Sequence, residues 1–187
     1  MKGQAQGKLW APWRLRYIAL AREKSASGCV FCRAKRTGND DRNHVIARGI
    51  RTFSLLNKYP YNNGHVMVAP YRHIGDLAKI SQEEWAELLQ LTVDALNRLE
   101  ASMSPHGYNI GLNIGKIAGA GIPGHLHLHV VPRWTGDTNF MPVVSDTKVI
   151  SQSLHAAYQV LRRAGRMGRG HAKKRKGSSL PKAARAD

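Results

Sequence analysis

Acidic residues are scarce in this chain. Only 12 of its 187 residues are Asp or Glu, against 29 Lys and Arg, and the net charge is +17. So large a surplus favours anionic partners: nucleic acid, phosphorylated small molecules or an acidic surface. Much of it lies at the end of the chain, where Arg162–Asp187 holds ten Lys/Arg and one acid, but the body is basic as well. Cysteine is rarer still. The two present form one Cys29-Val30-Phe31-Cys32 pair, which does not make a secreted disulfide framework. No run of about 18 apolar residues occurs, so no membrane span is expected. The first residues lack the apolar core of a secretory signal, and a cytoplasmic location is expected. No internal repeat is visible. Hydrophobic residues at 42% and charged residues at 22% fit one folded domain with a polar appendage.

What is present reads as strands around one long helix. Residues 1–8 are polar and loose. The aromatic-rich stretch Leu9-Trp10-Ala11-Pro12-Trp13-Arg14-Leu15-Arg16-Tyr17-Ile18 is expected to dock on the body, because two tryptophans are costly to leave in water. Gly38-Asn39-Asp40-Asp41 reads as a turn. Strands are expected at 44–47, 52–56 and 65–69, with a turn-rich link from Asn57 to Gly64. Ser81-Gln82-Glu83-Glu84 has the form of a capping box. An amphipathic helix follows to about Ser102, with Trp85, Leu88, Leu89, Val93, Leu96 and Leu99 as its core stripe. Pro105-His106-Gly107 ends it. A strand over 108–114, a glycine-rich loop over 115–124, a strand over 126–131 and a last helix over about 152–164 complete the domain. Strands, a long helix and more strands, without regular alternation, predict an α+β fold on an antiparallel sheet of about five strands. The expected organisation is a flexible 1–8, a domain over 9–163 and a disordered basic tail over 164–187.

Within the last strand stands His125-Leu126-His127-Leu128-His129. Residues two apart on a strand share a face, so the three imidazoles line one side, and Leu126, Leu128 and Val130 line the other, towards the core. Such a row is open to three readings. It can be structural, it can hold a metal with all three rings, or it can carry nucleophilic chemistry. The third suits the setting: imidazole titrates near neutrality and can act as nucleophile or proton donor. The adjoining glycine-rich loop can also offer backbone N–H groups to phosphate oxygens.

The segment Gly124-His125-Leu126-His127-Leu128-His129-Val130-Val131-Pro132-Arg133-Trp134 resembles the motif of the histidine triad (HIT) superfamily. Leu55-Leu56-Asn57-Lys58-Tyr59-Pro60 and Gly64-His65-Val66-Met67-Val68-Ala69-Pro70 resemble its upstream block. Trp10-Ala11-Pro12-Trp13-Arg14 and Gly136-Asp137-Thr138-Asn139-Phe140 are similar to its bacterial diadenosine tetraphosphate phosphorylase-like branch. The likeness covers roughly residues 9–163. It implies a HIT-like sheet and attack by His127 on the α-phosphate of a nucleoside polyphosphate, giving a covalent nucleotidyl-histidine. It implies that His129 binds the phosphate and His125 orients the nucleophile. It further implies that Asn57 holds the ribose hydroxyls, that Asn113 contacts the phosphate and leaving side, and that the backbone around Gly119 and Gly121 lines the phosphates. A homodimer is implied, paired through the long helix, with the Trp85 face as its candidate contact. The chain departs from many relatives in one place: Ala118–Gly124 carries no Ser or Thr. Phosphate and water both stay open as the second nucleophile.

Taken alone, Cys29-x-x-Cys32 fits a redox pair, an incidental pair or half a zinc site. The resemblance implies a structural zinc held by Cys29, Cys32, His73 and His125, with His44 competing for the fourth place, and no organic cofactor. The tail could contact nucleic acid weakly through phosphates but has no aromatic residue to stack on a base. The alternative to an enzyme is a nucleotide- or RNA-binding HIT protein with little turnover.

Overall fold

A computed structural model describes residues 28–137, 150 and 152–171. The expected docking of Leu9–Ile18, the loose 1–8 and the tail beyond His171 lie outside these residues. Five strands, β1 (Val45–Arg48), β2 (Thr52–Leu56), β3 (Val66–Pro70), β4 (Gly107–Leu112) and β5 (Leu128–Arg133), form one antiparallel sheet in the order β1-β2-β3-β5-β4. Among the described residues four α-helices accompany them: α1 (Val30–Thr37), α2 (Asp40–Asn43), α3 (Gln82–Met103) and α4 (Leu154–His171). The α+β architecture is the one expected.

Two cores divide the sheet by side-chain parity. Leu56, Val66, Leu128 and Val130 point to one face and pack with Ala95 and Leu99 of α3 and Ala157, Tyr158 and Leu161 of α4. Phe53, Leu55, Met67 and Ala69 point to the other and pack with Phe31 and Ala34 of α1. Met67 pairs with His129, so the histidines lie on the α1 face. β2 is buried along its whole length, as a strand covered on both sides must be.

The helix α3 begins in the expected capping box, with the Ser81 and Glu84 side chains each accepting from the other's backbone N–H. Glu84 also receives Arg72 through Nε and Nη2, each at 2.7 Å, which fixes the residue before His73 to the helix start. One turn on, the Glu87 carboxylate accepts from Ile50 N–H at 2.7 Å, Arg51 N–H at 2.6 Å and the Thr52 hydroxyl at 2.9 Å. It caps the β1–β2 hairpin. A Cβ at Gly49 would sit 2.6 Å from that carboxylate, so a side chain there would push Glu87 off these donors. Glu87→Gln leaves one acceptor oxygen and turns an amide N–H₂ towards these donors. It is expected to destabilise the fold by about 1–3 kcal/mol, read as a shift in urea midpoint at unchanged slope.

Four local expectations are corrected. Only part of the apolar stripe on α3 is core: Leu88 and Leu99 are buried, but Leu89 is 56% and Val93 54% exposed. The buried stripe runs instead through Glu84, Leu88, Thr92, Ala95, Arg98 and Leu99. The turn at Gly38–Asp41 contains a short helix: left-handed Gly38 ends α1, and Asn39 caps α2 by accepting from Arg42 N–H. α1 itself, which carries the Cys pair, had no counterpart in the strand and helix pattern. The last helix continues to His171, past Ala164. Among the described residues, no helix is long and apolar enough to cross a membrane.

Candidate active site and metal cluster

β5 starts at Leu128, not at Leu126, so of the three histidines only His129 stands on a paired strand. Val68–Leu128 is the last β3–β5 pair. Beyond it Leu126 N–H donates to Ile74 O at 2.7 Å, and the chain follows the segment after β3 instead of β3 itself. Gly75 permits this: a Cβ there would lie 2.6 Å from the Pro123 carbonyl oxygen. The histidines nevertheless stay on one side. The rings of His127 and His129 meet edge to face at 4.8 Å, and those of His125 and His127 both lie against Phe31.

His127 is 6% exposed. Its Nδ1 lies 2.7 Å from the His125 carbonyl oxygen. A carbonyl only accepts, so Nδ1 carries the proton and Nε2 keeps its lone pair. Burial lowers the pKa of His127, opposed by that hydrogen bond, and the ring is neutral at pH 7.

His129 is fixed by a chain that begins in the β2–β3 link. Tyr61 N–H donates to His65 Nδ1 at 3.0 Å. His65 Nε2 therefore carries its proton and donates it to His129 Nδ1 at 2.9 Å. This leaves the proton of His129 on Nε2, a buried atom with no hydrogen-bond partner among the described residues. A buried donor left unpaired costs about 1–3 kcal/mol, which a ligand oxygen would relieve. Burial, then the neighbouring His127, pushes the pKa of His129 down to about 4.

Of the other expected residues, Asn57 and Asn113 reach the Tyr61–His65 pair behind His129. Asn57 is buried, its Oδ1 accepting from Tyr59 N–H and its Nδ2 lying 3.4 Å from His65 Nδ1. Asn113 follows β4 and donates to the Tyr61 hydroxyl at 3.3 Å. Gly119 has a positive φ of 89°, and its N–H closes a turn onto Lys116 O. Gly121 is exposed at the same loop. A cavity of about 250 Å³ opens between the β2–β3 link and the start of α4; it touches Asn57 and His65 but is not lined by His127 or His129.

His65 and Tyr61 escaped the sequence reading. A signal existed for His65: it is in phase with Met67, and Met67 faces His129 across the β3–β5 pair, which puts His65 diagonal to it. Tyr61, whose ring lies 4.8 Å from His65 and 5.6 Å from His129, left no comparable trace in a turn-rich link.

At the other end of the row, Cys29, Cys32, His73 and His125 bring one donor atom each to within 4.8 Å of one another. The spacings are 3.3 Å for Cys29 Sγ–His125 Nδ1, 3.3 Å for Cys32 Sγ–His73 Nδ1, 3.8 Å for Cys32 Sγ–His125 Nδ1 and 3.3 Å for His125 Nδ1–His73 Nδ1. A tetrahedron with metal–nitrogen bonds of about 2.0–2.1 Å and metal–sulfur bonds of about 2.3 Å spaces its donors roughly 3.3–3.8 Å apart. His125 Nε2 donates to Pro70 O at 2.9 Å, which keeps the Nδ1 lone pair free for the cluster and is the usual outer support of a metal-ligating imidazole. The cluster fits a metal ion. His44, the rival fourth ligand, packs edge-on against Tyr158 at 5.4 Å instead.

The model of one family, the HIT domain, matches residues 39–136. An AP-4-A phosphorylase of Mycobacterium tuberculosis (strain CDC 1551 / Oshkosh) is 41% identical over 159 residues, 82% of each chain. A solved Zn-bound histidine triad family protein from Mycobacterium smegmatis is 25% identical with a TM-score of 0.60, covering 78% of this chain and 98% of its own. A hypothetical histidine triad nucleotide-binding protein from Sulfolobus tokodaii strain7 shares the fold at 22% identity, with a TM-score of 0.62 over 80% of this chain and 100% of its own.

Proposed function

This chain belongs to the HIT family, and from that premise we propose that it is an enzyme that cleaves a nucleoside polyphosphate of the diadenosine polyphosphate class at its α-phosphate. His127 Nε2 attacks phosphorus, and the bond from phosphorus to the bridging oxygen breaks. The polyphosphate moiety leaves, and the nucleotide stays bonded to His127. Phosphate or water then attacks the same phosphorus, the N–P bond breaks, and the imidazole returns. The charge that develops on the His127 ring is met by the His125 carbonyl on Nδ1–H, and His129 Nε2–H donates to a non-bridging oxygen. Asn57 and Asn113 serve the ribose and the leaving side, and the loop at Gly119 and Gly121 approaches the phosphates. The observation that carries this reading is the pair of fixed tautomers: a lone pair on His127 Nε2 beside an unpartnered proton on His129 Nε2.

Incubation with diadenosine tetraphosphate, with and without phosphate, is the test. ADP that forms only with phosphate identifies phosphorolysis, and AMP without it identifies hydrolysis. Binding with neither product would replace the enzyme by a binding protein. Because burial lowers the pKa of the His127 nucleophile, kcat/KM, which reports the free enzyme, is expected to hold through the ordinary imidazole range of about pH 6 to 7 and to fall only at lower pH, as Nε2 of His127 takes a proton. A loss between about pH 6 and 7, where an ordinary imidazole titrates, would count against a buried, neutral His127.

The metal is zinc in this reading, because two thiolates and two imidazoles are its preferred donors. Its role is structural, with all four places taken by the protein; metal analysis of the purified chain tests its identity. The chain pairs as a homodimer. Trp85, Leu89 and Val93 share one exposed-side stripe of α3, and Ile110 is 48% exposed on the edge strand β4. A monomeric mass in solution would contradict this. Free cysteines at the cluster suit a reducing cytoplasm, which cell fractionation tests. The basic tail adds weak, strongly salt-dependent nucleic-acid contact, and binding unchanged by deletion of 172–187 would remove that role.

A further inference from the structure

One of the two residues between the cysteines, Phe31, touches the nucleophile. Phe31 is 1% exposed. Its ring lies 4.7 Å from that of His125 and 4.9 Å from that of His127, tilted by 35° and 36°. It also meets Phe53 edge-on at 6.4 Å. Three contacts set the plane of the His127 imidazole: the His125 carbonyl, the His129 ring and the Phe31 ring.

These contacts differ in what holds them. His129 sits in the β5 ladder. His125 is tied to Pro70 O whatever its Nδ1 does. Phe31 rides on the first turn of α1, an eight-residue helix whose N-cap, Cys29, makes no side-chain capping bond. A helix this short is not stable by itself. Its second half is tied to the body, since Arg48 Nη2–H donates to Ala34 O at 2.9 Å and Asn43 Nδ2–H to Thr37 Oγ1 at 2.7 Å. The first turn is held by the Cys29 and Cys32 thiols at the cluster and by Phe31, with Val30 packed beside it against the sheet.

We propose that Phe31 is a positioning residue that links the metal cluster to the nucleophile: the cluster fixes the first turn of α1, and Phe31 then holds the His127 ring in its attacking orientation. The cluster thereby acts on the reaction without touching substrate. This rests on the reading that a metal fills Cys29, Cys32, His73 and His125.

The test combines Phe31→Ala and Phe31→Leu with chelation, reading zinc per chain, kcat and KM, and the rate at which diethyl pyrocarbonate modifies His127, mapped by mass spectrometry. The modification needs no turnover. Phe31→Ala should keep its zinc and modify severalfold faster at His127. Its kcat should fall between about 10- and 100-fold, the scale of a misplacement near 1 Å, with KM changed far less. Phe31→Leu, which refills much of the space and guards against a misfolded alanine variant, should recover most of kcat. Chelation should speed His127 modification in the wild type but not further in Phe31→Ala, where the link is already cut. Zinc-loaded Phe31→Ala with wild-type kcat and modification rate would overturn the link and leave the metal reading intact. An equal chelation effect in both proteins would do the same. Wild-type protein that takes up no zinc would instead remove the metal reading, and the link with it.

Discussion

Replacing His127 with alanine should lower kcat by on the order of 10⁴-fold or more, the scale seen when a covalent nucleophile is removed. Substrate affinity should change little. The reason is geometric. His127 Nε2 is the ring nitrogen of the row that keeps both a lone pair and an open side. Nδ1 of the same ring is bound to the His125 carbonyl. On His125, Nε2 donates to Pro70 and Nδ1 faces the cysteines. On His129, Nδ1 accepts from His65, and Nε2 carries a proton. None of these can replace the missing nucleophile by a rotamer change. His129→Ala should cost less than His127→Ala, because it removes a donor to the transition state but leaves the attacking atom, and one such donor is worth about 10²–10³-fold. Equal losses in both variants, or a His127→Ala enzyme with near-normal kcat, would contradict this division of labour, and steady-state kinetics on the two purified variants reads it.

If zinc fills the cluster as proposed, chelation should produce the second large effect. A ligand that binds the folded chain and not the unfolded one adds its binding free energy to stability, and structural zinc binds strongly enough to contribute many kcal/mol at neutral pH. For a domain of this size each kcal/mol is worth about 2–4 °C. A chelator is therefore expected to lower the thermal midpoint by on the order of 10 °C or more, and added zinc should restore it. The loss should begin locally. The cluster joins α1 to the segments after β3 and before β5, which are 41 to 96 residues apart in sequence. None of its four residues belongs to the core that packs the sheet on α3 and α4. Hydrogen exchange should accelerate first in 29–37 and around His73. A thermal midpoint that chelation leaves unmoved would mean that the four donors do not hold a structural ion.

Which features could be read from the sequence follows from how local their causes are. The capping box at Ser81–Glu84 is a four-residue signal, and the helix begins where it says. The histidine alternation has period two, and the three rings do share a side. The strand nevertheless starts three residues later than His125, because Gly75 lets a second segment draw the chain away from β3, a close approach that no pattern within 125–131 encodes. α1 was invisible for a related reason. Val30–Thr37 has no side-chain cap at its start and spans only eight residues, too few for its amphipathic pattern to stand out; burial of Phe31 and Ala34 against the sheet makes it a helix. The Cys pair could be joined to His73 and His125 only through family resemblance, since spacing alone also allowed His44. The relay through Tyr61 and His65 needed the β2–β3 link folded back on β5. Leu89 and Val93 show the opposite limit: helical periodicity identifies an apolar stripe, but not whether the same chain or another covers it.

The central claim is a covalent bond between phosphorus and His127 Nε2. Rapid acid-free quenching of the protein during turnover of diadenosine tetraphosphate, followed by intact-mass and peptide analysis, tests it most directly. The expected result is a transient mass increase of one nucleoside monophosphoryl group, located on the peptide that contains His127 and absent from His127→Ala. Turnover without any adduct, or an adduct on His125 or His129 instead, would contradict it.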